Sequence, residues 1–287
     1  MEETLLSLKE AVDSNECPHP GFVNNNACVL CKKPKNKCND PITLQFWYIH
    51  RNLFLTVEGI RLLRDLNLKQ LLQRKKLHLV LDLDNTLIHC NDLEKKDTKN
   101  NNQKNEKKNG KSSPNNVKAA GDDIYEIIKG AALIKLRPGT RDFLEKASEI
   151  FELSIYTMGD KEYAGEIAKI LETDKVRFSR VIYRDNCSMK ASKGLKVVLS
   201  HPRLVLIVDD LDEVWCAEDR GNVIKIKPYT FFDKKGTRDD DDDQELVRVL
   251  GVLKAVHTKF YDKKEGNYHA NKDVRQLLKK VNYNTNG

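Results

Sequence analysis

Leu77-His78-Leu79-Val80-Leu81-Asp82-Leu83-Asp84-Asn85-Thr86-Leu87-Ile88-His89 decides how the chain is read. The first five residues are mostly apolar and too few for a helix. Such a run fits a strand buried on both faces, as in a parallel sheet. Two carboxylates, Asp82 and Asp84, and a hydroxyl, Thr86, follow it directly. Carboxylates enter a core only when paired or bound to metal. Open α/β sheets bind ligands at the carboxyl ends of their strands. The stretch therefore reads as a strand delivering two acids to a site, and ordinary turn chemistry is the alternative for the bare Asp-x-Asp.

Working outward, further apolar runs end in polar residues. Glu152 to Tyr156 leads to Thr157, Met158 and Gly159, and Leu204 to Val208 leads to Asp209 and Asp210. Val181-Ile182-Tyr183 is another short strand. Helical patterns over 142–151 and 161–171 lie between them. Strands alternating with helices predict a parallel sheet with helices on both faces. Lys193 lies upstream of the last acids. Two short runs, 124–128 and 132–136, also read as strands, and 245–260 as a helix.

The chain has 287 residues, 39% hydrophobic and 32% charged, with a formal net charge of +7. No apolar run approaches the roughly 20 residues that span a bilayer, and the acidic start lacks the pattern of a signal peptide. These features predict an intracellular chain. The positive charge suits an anionic partner but is also common in Lys- and Asn-rich chains. Seven Cys, an odd number, do not suggest a disulfide framework.

The expected organisation has five parts. Residues 1–43 form a Cys-rich segment opening on a helix over 1–14. Residues 44–90 form a lead-in helix, supported by leucine spacing over 62–72, and the first acid-bearing strand. Residues 91–120, rich in Lys and Asn, form a disordered insertion, since they hold too little apolar surface to offset ordering entropy. Residues 121–235 complete the sheet, and 236–287 hold an acidic loop and C-terminal helices, with Asp239–Asp243 solvated. In the first part, Cys28-x-x-Cys31 fits a Zn2+ knuckle, with Cys17, His19 or Cys38 completing the shell; free thiols in a loop are the alternative. Thioredoxin-like chemistry is disfavoured, because no strand is expected before the pair and no helix after it.

Two acids, a hydroxyl, a lysine and two more acids, in that order, resemble the four motifs of the haloacid dehalogenase superfamily. Leu136-Arg137-Pro138-Gly139, Tyr156-Thr157-Met158-Gly159, Glu162-Tyr163-Ala164 and Val208-Asp209-Asp210 followed by Val214-Trp215 resemble its FCP/SCP branch, phosphatases of the RNA polymerase II C-terminal domain (CTD). Cys17-Pro18-His19-Pro20-Gly21, Tyr48-Ile49-His50, Pro228-Tyr229 and Phe231-Phe232 are similar to FCP-type and plant CTD-phosphatase-like members. Larger relatives carry a C-terminal BRCT domain. The chain ends soon after Lys279, so a member without one is expected.

The resemblance implies a haloacid-dehalogenase-like Rossmannoid fold and a Mg2+-dependent protein serine/threonine phosphatase. It implies Asp82 as nucleophile, Asp84 as general acid and base, and Thr157 and Lys193 as phosphoryl-binding groups. It implies Asp82, the backbone carbonyl of Asp84, and Asp210 as metal ligands. Asp209 would hold Lys193 or a metal-bound water, and Thr86 would support the loop. The segment Ser192-Lys193-Gly194-Leu195 favours Lys193 over Lys190 and Lys196. The implied substrate is the polymerase CTD and the implied location nuclear, with neither membrane nor direct nucleic-acid binding. Other phosphoproteins, a small phosphoester and a catalytically weak phosphopeptide binder are the alternatives.

Overall fold

The computed structural model describes residues 1–12, 16–24, 26–37, 42–92, 119–121, 123–186, 192–232, 243–262 and 272–285. In chain order the main elements are α1 (Glu2–Ala11), β1 (Gly21–Val23), β2 (Ala27–Cys28), β3 (Thr43–Gln45), β4 (Leu53–Thr56), α2 (Val57–Gln73), β5 (Leu77–Leu81) and β6 (Ile88–Asp92). They continue with β7 (Ala119–Gly121), β8 (Ile124–Ile127), β9 (Ala132–Leu136), α3 (Thr140–Ile150), β10 (Phe151–Tyr156), α4 (Lys161–Leu171) and β11 (Phe178–Ile182). The last are β12 (Val205–Asp209), β13 (Val223–Lys225), α5 (Glu245–Tyr261) and α6 (Val274–Thr285).

The central sheet has the order β11-β10-β5-β12-β13 and is parallel throughout. All five residues of β5 are buried, four of them leucine or valine and the fifth His78. Leu77, Leu79 and Leu81 project into one core, shared with α3, α4, α5 and α6. Val80 projects into the other, shared with Leu8 of α1, Ile60 and Leu63 of α2, and Leu53 and Leu55 of β4. Helices thus cover both faces, and the expected architecture holds. Leu81 pairs with Ile155 of β10 and with Val208 of β12. That register brings the residues after β5 level with Tyr156 and Asp209, at the end where parallel sheets bind ligands.

Two smaller antiparallel sheets attach to this frame. One, β6-β9-β8-β7, grows from the chain just after the Asp82–Thr86 loop. Asn91 and Asp92 belong to β6, and Ala119 and Ala120 to β7, so both ends of the segment read as a disordered insertion are strand. Residues 93–118 lie outside the described residues.

The other sheet, β2-β1-β4-β3, joins the Cys-rich segment to residues 43–56. The lead-in helix accordingly begins only at Val57, with Thr56 as its N-cap. Phe46 to Arg51 form the turn between β3 and β4. Phe46 is an anchor of that turn, fully buried, and its aromatic character was not helical patterning. Contrary to expectation, a short strand, β1, precedes the Cys-x-x-Cys pair, and β2 ends on Cys28 itself. Among the described residues, no helix is long and apolar enough to cross a membrane.

Candidate active site

Asp82 sits at the end of the central strand, its N–H donating to the Val208 carbonyl of β12 at 3.0 Å. The residue is 6% exposed. The Lys193 ammonium, 2% exposed, lies 2.5 Å from Asp82 Oδ1 and 2.7 Å from Asp209 Oδ2. Lys193 reaches this point because its own backbone is fixed beside Trp215: the Lys193 N–H donates to the Val214 carbonyl at 2.7 Å and the Cys216 N–H to the Lys193 carbonyl at 2.9 Å. The ammonium also faces the rings of Tyr156 and Trp215, at 5.9 and 5.5 Å from their centroids. Of the two neighbouring lysines, Lys190 lies outside the described residues, and Lys196 is exposed beside Glu218.

Asp209 is committed to holding this lysine. Its Oδ2 also accepts from Trp215 Nε1–H at 2.9 Å, and its Oδ1 accepts from the Leu211 N–H at 2.9 Å. Asp210 points the other way, to the loop after β5. Its N–H donates to Thr86 Oγ1 at 3.2 Å, and the Thr86 hydroxyl lies 3.5 Å from Asp210 Oδ1. Oxygens of Asp82, Asp209 and Asp210 all lie within 4.8 Å of one another, and all three residues are buried.

Asp84 occupies a separate position. Its carboxylate accepts from the Tyr163 hydroxyl and lies 3.5 Å from Thr157 Oγ1. Asn85, at φ 58°, adopts the left-handed conformation that turns the loop between Asp84 and Thr86. Tyr163 stands in the first turn of α4, held by the Asp160 N-cap, whose Oδ1 accepts from the Tyr163 N–H at 2.9 Å. Gly159 gives its ring room: a Cβ there would fall 2.4 Å from Tyr163 Cδ1. Asp160 thus caps α4.

Burial sets the electrostatics. It pushes the Asp82 carboxyl up to about 7, against the opposing pull of Lys193. Burial raises Asp84 too, with the Tyr163 hydrogen bond pulling the other way. Asp210 is raised by burial and then by Asp209. Burial works to lower Lys193, but Asp82 and Asp209 outweigh it and hold the ammonium charged. Four acids crowd this end of the sheet. A hard divalent cation with oxygen ligands would relieve them, and Mg2+ fits that donor set.

The loop bearing Asp84 to Thr86 is clamped from outside. Arg137, buried, donates from Nη1 to the Thr86 carbonyl at 3.1 Å and pairs with Asp243 at 3.0 Å. Tyr229 N–H donates to the Asn85 carbonyl at 2.7 Å, and Phe231 and Phe232 N–H groups donate to His89 Nδ1 at 3.0 and 2.9 Å. Asp243 was expected in a solvated acidic run. It is instead the counter-ion of a buried arginine, while 239–242 lie outside the described residues.

Tyr163, Trp215, Arg137 and Asp243 make contacts that no local pattern announces. Tyr163 and Trp215 belong to family-like motifs, but only the fold aims them at Asp84 and Asp209. The N-terminal thiols form a second cluster: Cys17, Cys28 and Cys31 come together with His19. Cys38 lies outside the described residues.

A parallel sheet whose central strand ends in Asp82 and Asp84, flanked by strands ending in Thr157 and in Asp209–Asp210 with Lys193 between them, defines a haloacid-dehalogenase-like protein. The chain matches the family model "NLI interacting factor-like phosphatase" over residues 77–264 and belongs to that family. It is 34% identical over 295 residues to the Arabidopsis thaliana protein "RNA polymerase II C-terminal domain phosphatase-like 4", covering 97% of this chain and 65% of that one. It is 34% identical over 197 residues to a C-terminal domain phosphatase of RNA polymerase II from Schizosaccharomyces pombe, covering 63% of this chain and 25% of that one. The chain thus spans less than two thirds of the length of each of these relatives. It superposes on the structure of Fcp1, "an essential RNA polymerase II CTD phosphatase", with a TM-score of 0.56 and 28% identity, covering 76% of this chain and 73% of that one. Fission yeast Fcp1 bound to beryllium fluoride gives a TM-score of 0.55 and 26% identity, covering 76% and 74%.

Proposed function

We propose that this chain is a Mg2+-dependent protein serine/threonine phosphatase. It acts through an aspartyl-phosphate on Asp82, takes phosphorylated CTD repeats of RNA polymerase II as substrate, and works in the nucleus. The observation that carries the reading is the separation of the two acids. Asp82 lies against a fixed cation, Lys193, whereas Asp84 sits beside Thr157 and Tyr163 with its carboxyl raised by burial. One acid is placed to attack and the other to carry a proton. The substrate is proposed from the relatives, whose names describe CTD phosphatases.

Phosphate monoesters hydrolyse so slowly in water that enzymes accelerate them by up to ~10²¹-fold. A covalent route divides that barrier into two steps. The Asp82 carboxylate attacks phosphorus while the bond from phosphorus to the serine oxygen breaks, and Asp84 gives that oxygen its proton. Asp84, now ionised, takes a proton from water as the water attacks the phosphorus held on Asp82. Inorganic phosphate leaves and both acids return to their starting states. Lys193 orients Asp82 and offers positive charge to the phosphoryl oxygens. The Thr157 hydroxyl donates to the same oxygens, and Asp209 positions Lys193. Asp82, Asp210 and the backbone carbonyl of Asp84 would hold Mg2+, since both Asp209 oxygens already serve Lys193, Trp215 and Leu211. When bound, Mg2+ supplies the charge that screens attacking carboxylate from phosphate.

The test is phosphate release from a panel of CTD phosphoserine peptides, unrelated phosphopeptides and an aryl phosphate, with Mg2+ and with a chelator. Mg2+-dependent release that favours CTD peptides supports the full reading. Equal or better turnover of unrelated phosphopeptides would move the substrate elsewhere. Binding without Mg2+-dependent turnover of any of them would remove the enzyme reading.

A further inference from the structure

The N-terminal segment carries a second constellation, far in sequence from the acids. Cys17 Sγ lies 3.7 Å from Cys28 Sγ, and Cys31 Sγ lies 3.3 Å from His19 Nδ1. All four ligand atoms fall within 4.8 Å of one another. Four donors at Zn–S of about 2.3 Å and Zn–N of about 2.0 Å on a tetrahedron would stand roughly 3.5–3.8 Å apart. A disulfide would instead need about 2.0 Å between sulfurs. All three cysteines are free. We propose that Cys17, His19, Cys28 and Cys31 hold one structural Zn2+.

The local backbone is shaped for this. His19 takes φ 48°, a left-handed turn that lets a residue two positions from Cys17 bring its ring back to the same point. β1 and β2 form a hairpin, pairing Phe22 with Cys28, which delivers Cys28 and Cys31 opposite Cys17 and His19. Lys32, at φ 64°, turns the chain just after Cys31, and its N–H donates to the Cys28 carbonyl at 3.1 Å. The Leu30 N–H donates to Cys28 Sγ at 3.4 Å, a contact that favours thiolate over thiol. Three sulfurs and an imidazole suit Zn2+ and do not suit Mg2+. Four protein ligands leave no open position for a substrate, so the ion is structural.

The position of the cluster explains what such an ion would stabilise. The Thr56 hydroxyl lies 3.3 Å from the His19 carbonyl, and its N–H donates to the Pro20 carbonyl at 3.0 Å. The same hydroxyl caps α2 by accepting from Gly59 N–H at 3.0 Å. Gly59 is pressed so closely on this loop that a Cβ would lie 1.8 Å from the Pro20 oxygen. The small sheet in turn reaches the segment after Lys193: the Tyr48 hydroxyl donates to the Val197 carbonyl at 2.7 Å. The ion would thus fasten the loop on which α2 begins and the sheet that backs the Lys193 segment. This inference does not depend on the phosphatase reading.

The experiment is elemental analysis of the purified chain after dialysis against Mg2+ buffer. It is paired with visible spectroscopy of the chain reloaded with Co2+ and a peptide map without reductant. About one zinc per chain and the absorption of tetrahedral thiolate-bound Co2+ are expected. Cys31→Ser and His19→Ala should each lower zinc to under about a tenth per chain, with Cys216→Ser leaving it at one. Chelation of the wild type should lower its Tm, and added Zn2+ should restore it. A chain without metal, one carrying iron instead, a Cys17–Cys28 disulfide, or full zinc retention in His19→Ala would each overturn the assignment. The cobalt spectrum of the wild type keeps the test decisive should the variants fail to fold.

Discussion

At the scale of single residues, the site turns on how Asp84 is kept apart from Asp82. Tyr163 is the group that tunes it. Its hydroxyl donates to the Asp84 carboxylate and pulls against the upward shift that burial imposes. Removing that hydroxyl favours the protonated acid, so the Asp84 pKa rises further. Tyr163→Phe should therefore move the basic limb of the kcat/KM profile, which reports loss of the protonated acid, toward higher pH. A uniform loss of rate with an unmoved limb would assign Tyr163 a packing role only. Asp82, Asp84, Thr157, Lys193, Asp209 and Asp210 were legible in the sequence because each stands in, at or near the end of an apolar run or in a short recognisable segment. For Tyr163 and Trp215 the sequence carries motif membership but no role. Their partners lie 79 and 6 residues away, and only the packing of α4 and the turn after β12 supplies the direction.

At the scale of elements, the parallel strands were readable from apolar runs alone, since a strand buried on both faces has no alternation to misread. The β3–β4 hairpin was not. Its strands are short, Phe46 to Arg51 are turn residues despite their aromatic character, and the leucines of α2 drew one helix across the whole segment. Within β5, His78 is an exception to the apolar rule. It is fully buried, with Nε2 2.8 Å from Ser154 Oγ, and burial lowers its pKa to about 3. An unfolded chain would protonate it near 6.5. The stability that this histidine permits is complete above about pH 6.5. It is lost as pH falls toward the folded value, at roughly 1 kcal/mol per pH unit. His78→Gln should flatten the fall in unfolding free energy between pH 7 and pH 5, read by urea denaturation. Parallel curves for variant and wild type would mean that His78 does not titrate as its burial requires.

At the scale of the whole molecule, distant parts of the chain converge on one loop. The segment after β13 returns to Asn85 and His89, and the residues leading into α5 supply Asp243 to Arg137, which holds the Thr86 carbonyl. The Arg137 side chain is 1% exposed, so it depends on that partner. Asp243→Asn leaves the guanidinium buried without a counter-charge and should cost about 3 kcal/mol in urea unfolding. Arg137→Met combined with Asp243→Asn should recover much of that loss, because the stranded charge is gone. A single-variant cost below about 0.5 kcal/mol would place the pair among weak surface contacts. Asp243 was hidden in an acidic run that composition reads as solvated. An ion pair spanning 106 residues leaves no local trace.

Phosphoryl transfer to Asp82 is the step from which the rest of the proposed chemistry follows. It is tested most directly by acid-quenching the chain during turnover of an aryl phosphate with Mg2+ and mapping phosphorylated peptides by mass spectrometry. One phosphoryl group should appear on the peptide containing Asp82. It should accumulate further in Asp84→Asn, where a good leaving group departs without a proton but water is no longer activated, and it should vanish in Asp82→Asn together with turnover. Wild-type turnover with no phosphoryl group on that peptide, or turnover that survives in Asp82→Asn, would exclude Asp82 as the phosphoryl carrier.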